Sequence, residues 1–397
     1  MWILKKKRMK KNLLFFLTLV LVSCGKSENF MPDKTIVLGV ESKQIHEQIN
    51  SVSVMPFEVD DSWKHVSVPL MTKIDDTFIL FTNETCYLLG YKENGKKVFS
   101  RNIKGRGRGE VLEVGNICSD GKTVYIYDVA KGELEKYDKR GNYCSKIDGP
   151  FMAEYLYPLK DRLVGMTSLS LKDNKYVTVF DEKKNVIDSY LSIPDYLKNQ
   201  SMKFGRTPMS YCFKDSVRFM MPYDYNIYSV SENGIESKYR FVPENPIPPE
   251  VLESIEPNMP ILEKSLLVGP YDDDFQGLFE TDRYLFFYYS RNHVLYDKHT
   301  GSVFKTENPT QNYHKGLSDG MTSDELWKYF IGSFIPVYSE GNYLYGRLPM
   351  SLCSIMDDCR NKLDSRLASL MNEIDNYLSM YTLRTDDVII ARIDFED

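Results

Sequence analysis

The sequence predicts an all-β fold, a six-bladed β-propeller with a helical insertion near the C-terminus. Three observations carry this reading. The chain holds 28 Tyr and 21 Phe but only four Ala; Ala favours helices, whereas aromatic and β-branched side chains fit pleated surfaces. A strand–turn–strand phrase recurs, first at steps in the forties and then at somewhat longer ones. Sustained helical periodicity is confined to the region near the C-terminus.

The recurring phrase is an aromatic or β-branched strand end, a charged turn with Gly or Asn, and a further strand. It occurs at Tyr91–Gly95, Tyr137–Gly141, Phe180–Asn185, Val230–Gly234 and Tyr296–Gly301, with starts 46, 43, 50 and 66 residues apart. A second strand-like run precedes each copy: Thr77–Phe81, Thr123–Tyr127, Lys175–Val179, Asn226–Ser229 and Tyr284–Tyr289. Short strands repeated at this spacing are what a four-stranded blade requires. Asn94-Gly95 and Asn233-Gly234 supply the positive φ angles of tight hairpins. A sixth unit without the clear turn is expected from Phe334–Tyr338, Asn342–Arg347 and the terminal strand Val388–Phe395. The run Trp63–Pro69 is the expected N-terminal contribution to its closure.

Leu363, Leu367, Leu370, Met371, Ile374, Tyr377 and Leu378 lie at helical spacing. They predict a helix over about 358–380, inserted in the last unit and packed on the propeller rather than docking a partner. Asp324–Phe330 predicts a shorter helix, and the Pro-rich run Phe241–Pro260 a long connection between units.

The N-terminus carries an address. Lys5, Lys6, Lys7, Arg8, Lys10 and Lys11 precede the apolar run Leu13–Val22, too short to span a bilayer but of signal-peptide length. The run ends at Leu21-Val-Ser-Cys24, which resembles the lipobox of bacterial lipoproteins. That resemblance implies lipid modification of Cys24 and membrane attachment through it. The expected division is a signal peptide over 1–23, an anchor segment and tether over 24–60, and the propeller over 61–397. Removing residues 1–23 takes away six Lys/Arg and no Asp/Glu, so the net charge moves from −6 to −12. An exported domain this acidic repels nucleic acid.

Six further cysteines, Cys86, Cys118, Cys144, Cys212, Cys353 and Cys359, allow 15 pairings that the sequence does not resolve. No C-x-x-C occurs, which disfavours a zinc or thioredoxin-like site. Cys86 and Cys144 sit in strand-like runs and are expected as small buried hydrophobes; Cys353 and Cys359 are the pair closest in sequence.

Taken together, the lipobox at Cys24, the loop Gly105-Arg-Gly-Arg-Gly-Glu110 and the hairpin from Lys122–Asp128 through Tyr137–Gly141 resemble a family of six-bladed β-propeller lipoproteins of gut-type Gram-negative bacteria, with NHL-like blades. The likeness is strong over about 60–150 and in the C-terminal helix and strand, and diffuse between. The family usually has Pro where this chain has Arg108. The resemblance implies a fold and a cell-envelope address at the outer membrane, periplasmic or surface-facing, and no reaction.

The glycine loop is not G-x-G-x-x-G, since Glu110 takes the sixth place, and no Walker lysine follows. It is expected as a close-packed crossing from the rim of one unit to the channel of the next. Arg106 and Arg108, projecting over the channel, are the ligand-binding candidates, able to pair with an anion, with Glu110 a near partner that could neutralise one of them. The histidines His46, His65, His293, His299 and His314 show no metal spacing, leaving only a histidine–carboxylate site assembled from different units. Tyr271–Gly277 fails as an EF-hand because Arg283 stands where Glu is needed. Of Tyr288 and Tyr289 at most one faces a channel. No compact catalytic motif, cofactor or metal is expected. The chain therefore reads as a lipid-anchored binding or scaffold module for a glycan, peptide or envelope protein. The alternative is a metal-assisted hydrolase or lyase acting on a carbohydrate or lactone, which rests on fold analogy.

Overall fold

The computed structural model describes residues 30–39, 42–63, 69–167, 174–197, 209–256, 259–272, 275–289, 292–307, 321–383 and 387–395. The signal segment and Cys24 lie outside these residues, as do His65 and His314.

Among the described residues the strands form six sheets, giving a propeller-like all-β fold. In chain order, sheets I to V occupy residues 70–102, 114–147, 155–192, 210–242 and 275–307, each a four-stranded antiparallel meander. Sheet VI combines Ile335–Glu340, Tyr343–Pro349 and Val388–Phe395 with the N-terminal strand Ile49–Val54. Sheet IV gains a fifth strand, Lys34–Val37, parallel to Gly234–Val242. The innermost strands are those that begin at Leu70, Val114, Tyr155, Ser210 and Phe275 in sheets I to V, and Ile335–Glu340 in sheet VI. Successive sheets lie side by side, and the sixth returns to the first.

Hydrophobic contact between sheets is supplemented by a polar bond at each junction. The Asn116 side chain joins sheet II to Leu156 of sheet III. Tyr157 Oη donates to the Ser210 carbonyl at 2.9 Å. Tyr211 Oη reaches Glu280 at 3.0 Å, and Ser339 Oγ the Glu280 carbonyl at 2.9 Å. Lys73 meets Glu340 at 2.7 Å, and Lys139 meets Asp75 at 2.9 Å. The buried bonds satisfy polar groups that packing alone would strand.

The expected strand runs and hairpin turns are present. Gly95 has φ +85°, and a Cβ there would lie 1.8 Å from the Pro56 carbonyl oxygen, so no other residue fits.

Two expectations are corrected. The N-terminal strand that completes sheet VI is Ile49–Val54, not Trp63–Pro69: Trp63 ends a short 3₁₀ turn, Asp61–Trp63, buried with Nε1 donating to the Val388 carbonyl at 3.2 Å, and residues 64–68 lie outside those described. Strands Lys34–Val37 and Ile49–Val54 thus build parts of two sheets from the span read as tether. Cys144, expected buried, is exposed, because it lies on the outermost strand of sheet II with its side chain on the solvent face. Cys86 is buried, and all six described cysteines carry free thiols.

The helices lie in connections. Pro249–Glu253 (α1) and Ile261–Val268 (α2) fill the link from sheet IV to V, and Ser323–Ser333 (α3) the link from V to VI. Met350–Asp358 (α4) and Ser365–Met380 (α5) are inserted between the second and third strands of sheet VI; the periodicity predicts α5 but not α4. Leu367, Leu370, Met371, Ile374 and Tyr377 of α5 are buried in one core with Trp327, Phe330 and Ile393. That core uses the whole apolar stripe, so α5 serves packing.

Candidate binding site at the channel mouth

Each inner strand ends in a short charged turn before the second strand. Asp75-Asp76, Asp120, Lys160-Asp161, Lys214-Asp215, Asp282 and Glu340 occupy these turns or the strand ends beside them. The meander places all six on one face of the ring. Here a cavity of about 320 Å³ opens, lined by residues from the inner strands of all six sheets, among them Lys73, Ser119, Tyr157, Phe213, Asp282 and Tyr338.

Charge is organised at two places on this wall. At the junction of sheets VI and I, Lys73 Nζ lies 2.7 Å from Glu340 and 2.8 Å from Glu93, and 5.1 Å above the Phe78 ring. Burial opposes the charged form, but hydrogen bonds to Glu340 and Glu93 outweigh it and hold the Lys73 pKa above its ordinary value. At the junction of sheets IV and V, Glu280 is 2% exposed. Its carboxylate accepts from Lys298 at 2.9 Å, Tyr239 at 3.0 Å and Tyr211 at 3.0 Å, with Arg218 Nε at 3.4 Å. Lys214 pairs with Asp282 at 3.0 Å nearer solvent. Burial lowers the Lys298 pKa; Glu280 opposes this, and Lys214 and Arg218 add to it.

Two free thiols share the wall. Cys118 comes from sheet II and Cys212 from sheet IV. The hydrogen bond to Cys212, then burial, holds the Cys118 thiol well above its ordinary range.

None of the three residues singled out in the glycine loop lines this cavity. Arg106 and Arg108 are exposed, and the Arg108 guanidinium lies 5.2 Å above Tyr143 on the outermost strand of sheet II. Glu110 accepts from the Gly107 N–H at 2.6 Å and closes the loop on itself. Gly109 adopts φ +68°, with Tyr143 where a side chain would go. The loop joins the outer strand of sheet I to the inner strand of sheet II, the crossing expected of it.

Among the described residues the histidines do not converge. His293 is buried between Phe286 and Tyr288, and His46 stacks on Trp327 with Asp324 3.7 Å away. Tyr289 is buried and donates to Asp272, and neither it nor Tyr288 lines the cavity. Among the described residues no three His, Cys, Asp or Glu cluster in a metal-holding arrangement. The sequence reading missed Lys73, Phe213, Arg218, Glu280 and Lys298. A signal existed: charged residues recur just after every inner strand, which marks one face of the ring. The burial of Glu280 had none, since its partners come from strands up to 69 residues away.

No helix among the described residues is long and apolar enough to cross a membrane. No curated protein matches the sequence. Among solved structures, the chain is similar to a Bacteroides fragilis protein described as exported, with TM-score 0.68 and 18% identity over 92% of this chain and 100% of that one. A DUF4221 family member from Bacteroides vulgatus gives TM-score 0.47 and 8% identity over 88% and 99% of the two chains. A catalytically inactive virginiamycin B lyase from Staphylococcus aureus, solved with quinupristin, gives 0.36 and 11% over 71% and 78%. The first bears on the fold alone, and the other two carry no weight for function. The family model described as domain of unknown function DUF4934 matches residues 37–376, and the chain belongs to that family.

Proposed function

We propose that the six sheets are the blades of a six-bladed propeller, exported and anchored by lipid at Cys24, that binds a peptide at its channel mouth. The observation that carries the reading is a cavity to which all six inner strands contribute, with both signs of charge in its wall. Lys73 with Glu340, and Lys214 with Asp282, offer partners for both the cationic and the anionic groups of a peptide, and Phe213 and Tyr338 offer apolar contact. A neutral glycan would make no charged contact with these groups, so it would leave the charge in the wall unused. The lipobox and the exported Bacteroides fragilis relative in structure support the address.

Cys212 makes the site testable without a label. It is exposed in the cavity wall, whereas Cys144 is exposed on the outer rim and serves as the control. Alkylation by N-ethylmaleimide, read by mass spectrometry, is expected to slow at Cys212 and not at Cys144 when a binding peptide from a mixed-charge library is present. The protection is expected to disappear in Lys73→Met. Equal alkylation at Cys212 with every peptide and with oligosaccharides would remove the channel mouth as the binding site. For the anchor, Cys24→Ser is expected to abolish incorporation of radiolabelled fatty acid and release the protein from membranes.

A further inference from the structure

Arg218 is 8% exposed, yet Nε and Nη1 find no hydrogen-bond partner among the described residues. A buried guanidinium in that state is costly, because its donors were hydrogen-bonded in water. Glu280 does not resolve it. Its Oε1 already accepts from Lys298 and Tyr239 and its Oε2 from Tyr211, so Arg218 is left with a charge contact at 3.4 Å.

The surroundings add to the excess. Phe213, in the cavity wall, gathers three cations around one ring: Lys298 Nζ at 4.7 Å, Lys214 Nζ at 5.2 Å and the Arg218 guanidinium at 5.6 Å from its centroid. Two carboxylates, Glu280 and Asp282, stand against these three cations. Ring faces attract cations, but less strongly than an oxyanion does. Burial and the neighbouring positive charges also make Lys298 easier to deprotonate than an ordinary lysine. All of these features would be relieved by a single added negative charge.

We infer that Arg218, Lys298 and Lys214 form an oxyanion subsite behind Phe213, which takes the carboxylate or phosphate group of the ligand. This deepens the peptide reading by assigning the ligand's anionic end to the junction of sheets IV and V. Phe213 acts as its cover: a turn of the ring toward the cavity opens the Arg218 Nη1 donor to the incoming group. The shared chemistry is a planar or tetrahedral oxyanion, and acetate and inorganic phosphate distinguish the two sources.

The test uses the exported domain titrated with inorganic phosphate or sodium acetate against chloride at constant ionic strength, followed by thermal midpoint. One of the two oxyanions is expected to raise the midpoint where chloride does not. Arg218→Gln should weaken that oxyanion by about tenfold or more, the equivalent of one charge-assisted bond. Phe213→Ala should bind it at least as tightly as the native protein, since the cover and its competing cation contacts are gone. If Arg218→Gln does not fold, Lys298→Gln replaces it with the same expected loss. Oxyanions indistinguishable from chloride, an Arg218→Gln or Lys298→Gln variant that responds like the native protein, or a Phe213→Ala variant that binds more weakly than it, overturn the subsite. Protection of Cys212 by peptides with no oxyanion effect removes the subsite and leaves the peptide reading standing. An Arg218-dependent oxyanion effect with no peptide protection does the reverse.

Discussion

The Asn116 side chain makes a two-way pair with the Leu156 backbone, donating from Nδ2 to the carbonyl at 3.0 Å and accepting from the N–H at 2.9 Å. It thereby imitates one rung of a β-ladder across the gap between sheets II and III, where no ladder runs. Asn116 is 4% exposed, so both Leu156 groups depend on it. Asn116→Ala is expected to destabilise by about 2–4 kcal/mol, the penalty for stranding two buried backbone groups. Asn116→Asp should be nearly as damaging, because a carboxylate facing the Leu156 carbonyl has no proton to give. Urea denaturation of the three proteins decides it; an Ala variant within about 0.5 kcal/mol of native would show the pair to be incidental.

A second prediction concerns closure. Arg366 of α5 donates through Nη1 to the carbonyls of Ile49 at 2.6 Å and His46 at 2.8 Å, and Glu373 accepts from the Val54 N–H at 2.7 Å. The helix therefore clasps the N-terminal strand into sheet VI. Arg366→Ala is expected to lose about 2–3 kcal/mol. Deletion through residue 56 should do far more, since it exposes the edge of Val388–Phe395 and the core beneath. A truncated chain that retains a native thermal midpoint would disprove the clasp.

Acid sensitivity follows from His293. Burial pushes its pKa down to about 4, from an ordinary 6.5, and its Nδ1 has no hydrogen-bond partner among the described residues. Between those values the unfolded chain holds a proton that the folded chain refuses, so stability falls as pH drops through the window. The full shift corresponds to about 3 kcal/mol. His293→Leu should flatten the dependence of the thermal midpoint between pH 7 and pH 4, and an unchanged slope would assign the acid sensitivity elsewhere.

The glycine loop offers a clean separation of turn from ligand site. Arg106→Ala, at an exposed position, is expected within about 0.5 kcal/mol of native stability. Gly109→Ala should lose roughly 1–3 kcal/mol, because φ +68° strains any side chain and Tyr143 occupies its space. Binding of any channel ligand should survive Arg106→Ala, as measured by Cys212 protection.

Much of the fold was legible because its determinants are local. The Asn-Gly turns, the aromatic strands and the helical stripe depend on neighbours a few residues away and are present, with the helix beginning at Ser365 and leaving Leu363 just outside it in extended backbone. Closure was not legible in the same way. Trp63–Pro69 and Ile49–Val54 are both short and β-like, and the choice between them depends on Arg366 and Glu373, more than 300 residues further on.

The sequence by itself determined an all-β repeat with a helical insertion and an acidic balance beyond residue 23. Periodicity, turn chemistry and charge are one-dimensional properties. Only the tertiary structure decided which charges meet at the channel mouth. Arg218 lies on the second strand of sheet IV, Glu280 on the first strand of sheet V and Lys298 in the turn after its third strand, and their environment arises when the ring closes and excludes water from between them. Burial turns three ordinary surface residue types into a site with an unmet demand for negative charge, and burial is a property of the assembled ring.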